Sequence, residues 1–273
     1  SRMFIDPKNP VSVDELMRGM IVQSGNDACI ALAELIAGSE EAFAKLMNEQ
    51  ARRLGMKNTN FVNATGLPNL QHYSTAQDLA LLASAIIRDF PEHHPLYALK
   101  EYRYNNITQA NRNRLLWTDP TVDGMKTGYT ENAGYCLIAS AKHGERRLIS
   151  VVLGAVSEAG RAAESQKLLN YGFQNYDSVK LYEAGQAVAS VPVWKGSGNS
   201  IQAGFVHEMY VSIPKGTVDK LKAQLESQQP LVAPIAAGQK IGVMKLTLDG
   251  KPYADIPVVA LDAVPLEIGR AHV

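Results

Sequence analysis

Two tripeptides combine residue types that could carry acyl-transfer chemistry. Ser24-Gly25-Asn26 lies between two helical patterns, and Lys126-Thr127-Gly128, preceded by Val122-Asp123-Gly124, lies just before a β-rich stretch. A serine hydroxyl is a weak nucleophile and needs an adjacent base. Ser and Asn together supply a proton relay and hydrogen bonds to a substrate amide. A lysine at a strand edge supplies a positive field for a carboxylate, which a Thr hydroxyl and backbone amides can position. Alone, each tripeptide reads as a loop or a turn. Their order, with one ending a helix and the other opening a strand, gives them weight.

Ser-x-x-Lys is a further pattern that could activate a serine. A Ser-x-x-Lys at a helix start puts both side chains on one face, so that the Lys can take the serine proton. The sole Ser-x-x-Lys is Ser212-Ile213-Pro214-Lys215, which follows Lys-Thr-Gly and contains Pro214 in a strand-end turn. A second Ser-Gly-Asn, Ser197-Gly198-Asn199, sits in a Gly-rich loop with no helix before it. Both are rejected as site residues.

The elements that must position these residues change character once along the chain. The first part is mostly helical. Ser12 and Glu15 form a capping box ahead of Leu16, Met17, Met20 and Ile21. A second helix is expected from Asp27 to Ile36, ending at Gly38, and a third from the Ser39 cap to Gly55. Ser74-Thr75-Ala76-Gln77 reads as another capping box before Leu79, Leu82, Ala83 and Ile86. Gly134 to Ala141 and Arg147 to Ala155 then read as strands joined by a turn at His143-Gly144-Glu145, followed by a helix from Arg161 to Phe173. This is an α+β pattern, an antiparallel sheet with helices packed on it. From Val179 onward, short Val/Ile/Tyr runs alternate with turn signals, which predicts a small all-β domain. Lys220 to Leu225 is read loosely as a helical turn. The expected domains are 1–177 and 178–266, followed by a tail at 267–273.

Composition excludes several classes. The 273 residues carry 27 Lys+Arg against 27 Asp+Glu, and a net charge of zero argues against a nucleic-acid binder. With 46% hydrophobic residues the chain is globular, and no apolar run reaches the length of a membrane span. Cys29 and Cys136 read as buried free thiols. His93-His94, beside Pro95, reads as an exposed loop, and no metal site or cofactor is indicated.

Taken together, Gln23 to Ala28, Asn111-Arg112-Asn113 with Leu115-Leu116-Trp117, Val122 to Gly128, and Gly134-Tyr135 resemble low-molecular-mass penicillin-binding proteins, the serine-type D-alanyl-D-alanine carboxypeptidases. The likeness extends to Ile213-Pro214-Lys215-Gly216 and Leu248-Asp249-Gly250-Lys251. It implies a transpeptidase-like catalytic domain followed by a β domain, and removal of the terminal D-alanine from peptidoglycan stem peptides through an acyl-enzyme that β-lactam antibiotics also form. It implies catalytic roles for Ser24, Asn26 and Lys126. Thr127, Gly128, the backbone amide of Tyr129, and Arg161 would bind substrate, the guanidinium forking onto the terminal carboxylate. The plainer reading of Arg161 is an ion pair with Glu164 or Glu158, and Arg112 is assigned no more than a structural role. Many relatives have His where this chain has Tyr129.

The family's Ser-x-x-Lys stands several dozen residues ahead of Ser-Gly-Asn, so the resemblance implies that a segment bearing it precedes Ser1. The chain without that segment is expected not to form an acyl-enzyme. Glu267 to Val273 is similar to a translated sequencing adapter and is expected to be non-native. Family membership further implies the periplasm or cell-envelope surface, with peripheral attachment of the full-length protein to the inner membrane. The alternatives are a class A β-lactamase-like hydrolase, which usually has Asp at Gly25 and lacks a β domain, and a non-catalytic peptidoglycan-binding scaffold.

Overall fold

The computed structural model describes residues 1–267, so the tail expectation at 268–273 lies outside them. The chain forms two compact units, Ser1–Phe173 and a second from Gln174 onward. The division falls a few residues before Asp177 because a helix passes straight into a strand there without a linker.

In the first unit, α1 (Val13–Gln23) starts at the expected capping box: Ser12 Oγ accepts from the Glu15 amide, and Glu15 accepts from the Ser12 amide at 2.8 Å. α2 (Asn26–Ala37) ends at Gly38, whose φ of 81° is the left-handed cap that glycine adopts without penalty. α3 (Glu40–Arg53) is capped by Ser39. α4 (Ala76–Asp89) is capped one residue later than expected. Thr75, not Ser74, accepts from the Asp78 amide, while Ser74 Oγ pairs with Thr59 Oγ1 at 2.8 Å. The cause lies in Asp78, which is buried and accepts from the Asn58 amide and Thr59 hydroxyl, tying the first turn of α4 to the preceding loop.

A 3₁₀ turn (His94–Ala98) leads into β1 (Glu101–Tyr104) and β2 (Ile107–Ala110). This hairpin was not anticipated from the sequence. Its two-residue turn, Asn105-Asn106, has φ of 48° and 62°, the positive pair that a tight primed turn needs and that Asn tolerates. After α5 (Leu115–Thr118) comes an antiparallel sheet of β3 (Val122–Thr130), β4 (Gly134–His143) and β5 (Arg146–Ala155) in that spatial order. Lys-Thr-Gly lies inside β3, rather than opening a strand. Leu137, Ala139 and Ala141 of β4 bury against Leu169 and Phe173 of α6 (Glu158–Asn175). Period-2 alternation therefore turns Ile138 and Ser140 to the other face.

The second unit is all-β: β6 (Tyr176–Tyr182), β7 (Ala187–Trp194), β8 (Ser200–Gly204), β9 (Met209–Pro214), β10 (Leu221–Ser227), β11 (Leu231–Val232), β12 (Lys240–Leu248) and β13 (Lys251–Ala260). Six strands run in the order β10-β12-β13-β8-β7-β11, and β6 pairs with β9. Alternate residues such as Val191 and Val193, Ile201 and Ala203, and Met244 and Leu246 fill its core. The helical reading of Lys220 to Leu225 fails, because a 3₁₀ turn ends at Lys220 and strand β10 follows. Pairing along the whole of β10 with β12 outweighs the local propensity of Lys, Ala and Gln for helix.

Thr75→Ala is expected to cost about 1 kcal/mol in urea unfolding, with Ser74→Ala costing clearly less. An equal or larger loss from Ser74→Ala would return the cap to Ser74.

Candidate active site

Ser24 is presented by the abrupt end of α1. It is the left-handed C-cap of that helix, with φ 58° and ψ 40°, and its amide donates to Gly19 O. A non-glycine residue is strained there, and such strain is held only where surrounding contacts fix it. Gly25 follows at a crowded place: a Cβ would lie 3.0 Å from Asp27 Oδ1 and 3.1 Å from the Met3 backbone, so these neighbours would have to give way. The Asp27 carboxylate accepts from the amides of Met3 (2.8 Å), Phe4 (2.9 Å) and Ile5 (3.2 Å). Met3 itself is fully buried. Partial burial would raise the Asp27 carboxyl, but these amide donors and its own neighbour Ala28 outweigh it and hold it below the usual range. The loop from Gln23 to Asp27 is thus fastened to the first five residues. Asn26 opens α2, and its backbone amide donates to Ser1 O at 2.9 Å.

Lys126 reaches this loop from β3. Its Nζ donates to Ser24 Oγ and, at 2.9 Å, to Thr127 O. Two residues that are 102 positions apart in the chain thereby meet, as the pairing of the two motifs requires. Among the described residues no carboxylate accepts from this ammonium. Desolvation by burial depresses its pKa from 10.5 to about 8; the Cys29 thiol opposes the shift, and Arg112 and Arg161 add to it. Cys29, half-buried and free like Cys136, is pushed up mainly by burial. Neither thiol is deeply buried, which corrects the expectation in degree.

Arg161 projects from α6 underneath the strand. It is 3% exposed, donates to Gly128 O and to Arg112 O at 3.2 Å each, and lies 3.4 Å from Glu158. Glu164, the other partner considered, pairs with Lys167 instead. Arg161 also sits 5.6 Å from the Tyr135 ring, against which the Tyr129 ring lies tilted by 33° at 4.3 Å between centroids. Tyr129 is exposed, and Thr127 is buried. Arg112, assigned only a structural role from sequence, donates to Ser1 Oγ at 2.6 Å and contributes to the positive field at Lys126. Ser24, Lys126, Thr127, Gly128 and Arg161 are thus joined by direct contacts. Asn26 joins them through Gly25, and Tyr129 through Gly128 and Tyr135.

The rejected strings fall in the second unit. Ser212 is on β9 and Lys215 in the turn after it, so the pair lacks the shared face that a helix would give them. Ser197-Gly198-Asn199 forms an irregular connection between β7 and β8. One expectation is overturned: His93 is exposed, but His94 is buried, because the 3₁₀ turn lays its ring beside Tyr97 at 6.2 Å between centroids.

Comparison with known proteins places this geometry. The profile of the D-alanyl-D-alanine carboxypeptidase family matches residues 1–157, and that of the penicillin-binding protein 5 C-terminal domain matches residues 176–266. The chain is 44% identical to D-alanyl-D-alanine carboxypeptidase DacA of Escherichia coli (strain K12), over 97% of its own length and 66% of that protein's. It therefore spans slightly less than two thirds of that relative's length. Penicillin-binding protein 5 from Haemophilus influenzae superposes with a TM-score of 0.81 at 44% identity, covering 97% of this chain and 78% of that one. Penicillin-binding protein D2 from Listeria monocytogenes, in a cefotaxime-bound form, superposes at 0.58 and 35% identity, covering 63% of this chain and 71% of that one.

The depressed pKa of Lys126 has a measurable sign. Between about 8 and 10.5 the unfolded chain holds a proton that the folded chain has released, so stability rises with pH across that window. NMR of 13C-labelled lysine should show one resonance titrating near 8, absent in Lys126→Met. A Lys126 midpoint at the ordinary value would mean that the ammonium is in water.

Proposed function

The chain belongs to the D-alanyl-D-alanine carboxypeptidase family, and we propose that it serves that family's reaction: removal of the terminal D-alanine from peptidoglycan stem peptides by a serine-type, acyl-enzyme route. The observation that carries the proposal is the Lys126–Ser24 contact. A lysine with a pKa near 8 can hold a proton at neutral pH and still give it up to a departing amine or take one from a hydroxyl. Ser24 stands as the relay between Lys126 and the reacting groups. Asn26 supplies the side-chain amide that lines up the substrate peptide bond. Lys126, Arg112 and Arg161 gather positive charge at one place in a chain of zero net charge, which suits a substrate ending in a free carboxylate. Thr127 and Arg161 would receive that carboxylate, and the backbone amide of Tyr129 would face the oxyanion.

In this proposal the acylating serine is that of a Ser-x-x-Lys motif outside residues 1–273, and β-lactams acylate the same serine. The named ligands of relatives, such as cefotaxime on the Listeria protein, support β-lactam recognition here. Periplasmic placement and envelope attachment belong to the same proposal, since the substrate is found there. The match of residues 176–266 to a penicillin-binding protein domain disfavours the β-lactamase alternative.

Fluorescent penicillin tests the assignment. The complete gene product should be labelled covalently, and residues 1–273 alone should not. Ser24→Ala in the complete protein should slow acylation by about 10²–10⁴-fold, the range for loss of a proton-transfer group. Covalent labelling of residues 1–273 alone would move the nucleophile into this chain and overturn the roles given to Ser24 and Lys126.

A further inference from the structure

Between Val122 and Lys126, β3 contains one extra residue. Val122 pairs with Ala141, but the next pair is Gly124 with Ser140, so Asp123 is a bulge residue with no partner on β4. After it, Met125 pairs with Ala139, Lys126 with Ile138 and Thr127 with Leu137. Continuing from Val122–Ala141 without the extra residue would set Lys126 opposite Leu137. Leu137 belongs to the face packed against α6, where Leu169 and Phe173 fill the core. A register slip of one residue sends every following side chain to the other face. The bulge at Asp123 is therefore what aims Lys126 at Ser24.

The bulge is enclosed from four sides. Arg147 Nη1, reaching across from β5, contacts Asp123 Oδ1 at 2.7 Å and also donates to Ser140 Oγ on the intervening strand β4. The buried His94 brings Nε2 to 3.8 Å from the same Asp123 oxygen. At that distance the two are in contact without a hydrogen bond, and this nitrogen has no hydrogen-bond partner among the described residues. Backbone packing closes the third side: a Cβ on Gly124 would lie 3.2 Å from Tyr97 Cβ and 3.6 Å from His94 Nε2, so the 3₁₀ turn rests directly on the strand. From below, the fully buried Asn113 donates to Gly124 O at 3.0 Å.

We infer that Asp123, held by Arg147 with His94 packed beside it, is a positioning residue: it fixes the bulge that delivers Lys126 to Ser24. The inference rests on the functional reading of those two residues but is measured separately from it. His94, whose pKa burial lowers against the opposing pull of Asp123, is neutral at neutral pH, so Arg147 is the full cation at the carboxylate. A direct electrostatic role and a positioning role for Asp123 then predict opposite signs. Loss of a nearby negative charge lowers a lysine's pKa through the field, whereas release of Lys126 from its buried seat raises it.

The test follows the Lys126 resonance in 13C-lysine-labelled residues 1–273. Asp123→Asn should move its midpoint up from about 8 by one unit or more while amide dispersion is retained. Arg147→Lys keeps the charge but shortens the reach from β5 to Asp123 and Ser140, and it too should shift the midpoint upward. A midpoint that is unchanged or lower in folded Asp123→Asn overturns the inference. Should that variant fail to fold, an unchanged midpoint in Arg147→Lys does the same. In the complete protein, Asp123→Asn should slow penicillin acylation at least tenfold. Failure of the functional reading shows differently, as a wild-type complete protein that takes no penicillin although Lys126 still titrates near 8.

Discussion

The site depends on an ammonium group taken out of water without a carboxylate to receive it. A paired lysine would be easier to bury, but its charge would be quenched and its proton held more tightly. Lys126 instead leans on two neutral acceptors, the Ser24 hydroxyl and the Thr127 carbonyl. That arrangement leaves the proton mobile near neutral pH and the field available to a substrate anion. It is also unfavourable on its own, so the surroundings have to hold both partners. The left-handed Ser24, the Gly25 that lets Met3 approach, and the Asp27 carboxylate that fastens Met3, Phe4 and Ile5 all serve to keep the hydroxyl in place.

The positive field is local, which a net charge of zero conceals. Arg161 is nearly inaccessible, and its guanidinium is spent partly on the Gly128 and Arg112 carbonyls and partly on Glu158. It therefore acts first as a brace under β3, with the Tyr135 ring against it. Arg112 is exposed at the rim, and its guanidinium donates to Ser1 Oγ. A substrate carboxylate approaching this group meets one braced cation, one adjustable one and the Lys126 ammonium, in a region where water screens them less than at an open surface.

The parts of this arrangement readable from sequence are those written in local chemistry. The Ser12–Glu15 capping box, Gly38, the Ser39 cap and the turn at Gly144 each announce themselves within a few residues, and each is found. Ser24 and Lys126 were legible as motif members but not as contacting groups, since 102 positions separate them. Local signals failed where a long-range contact chose between near-equal options. The α4 cap moved to Thr75 because buried Asp78 is tied to Asn58 and Thr59. His94 went inside while its neighbour stayed out, because a 3₁₀ turn packs against β3. The Asn105-Asn106 turn could have been recognised, since paired asparagines between Tyr-rich and Ile/Thr runs are a hairpin signal.

The least legible feature is the phase of the strand that carries the motif. Lys-Thr-Gly states which side chains follow one another but not which face of the sheet each occupies. Val122 packs with the α6 core, and so do the partners of Met125 and Thr127. An alternating strand that started on that face at Val122 would return to it at Lys126, burying an ammonium among leucines. One added residue at Asp123 reverses the parity, and the charge goes to the hydroxyl. Such a bulge needs something to hold it, because its backbone has left the ladder. A carboxylate at the bulge, facing an arginine two strands away, is a side chain placed to do that. The same tripeptide on an unbulged strand would present its lysine to the hydrophobic core, which is why the motif alone is weak evidence and the motif with its bulge is strong.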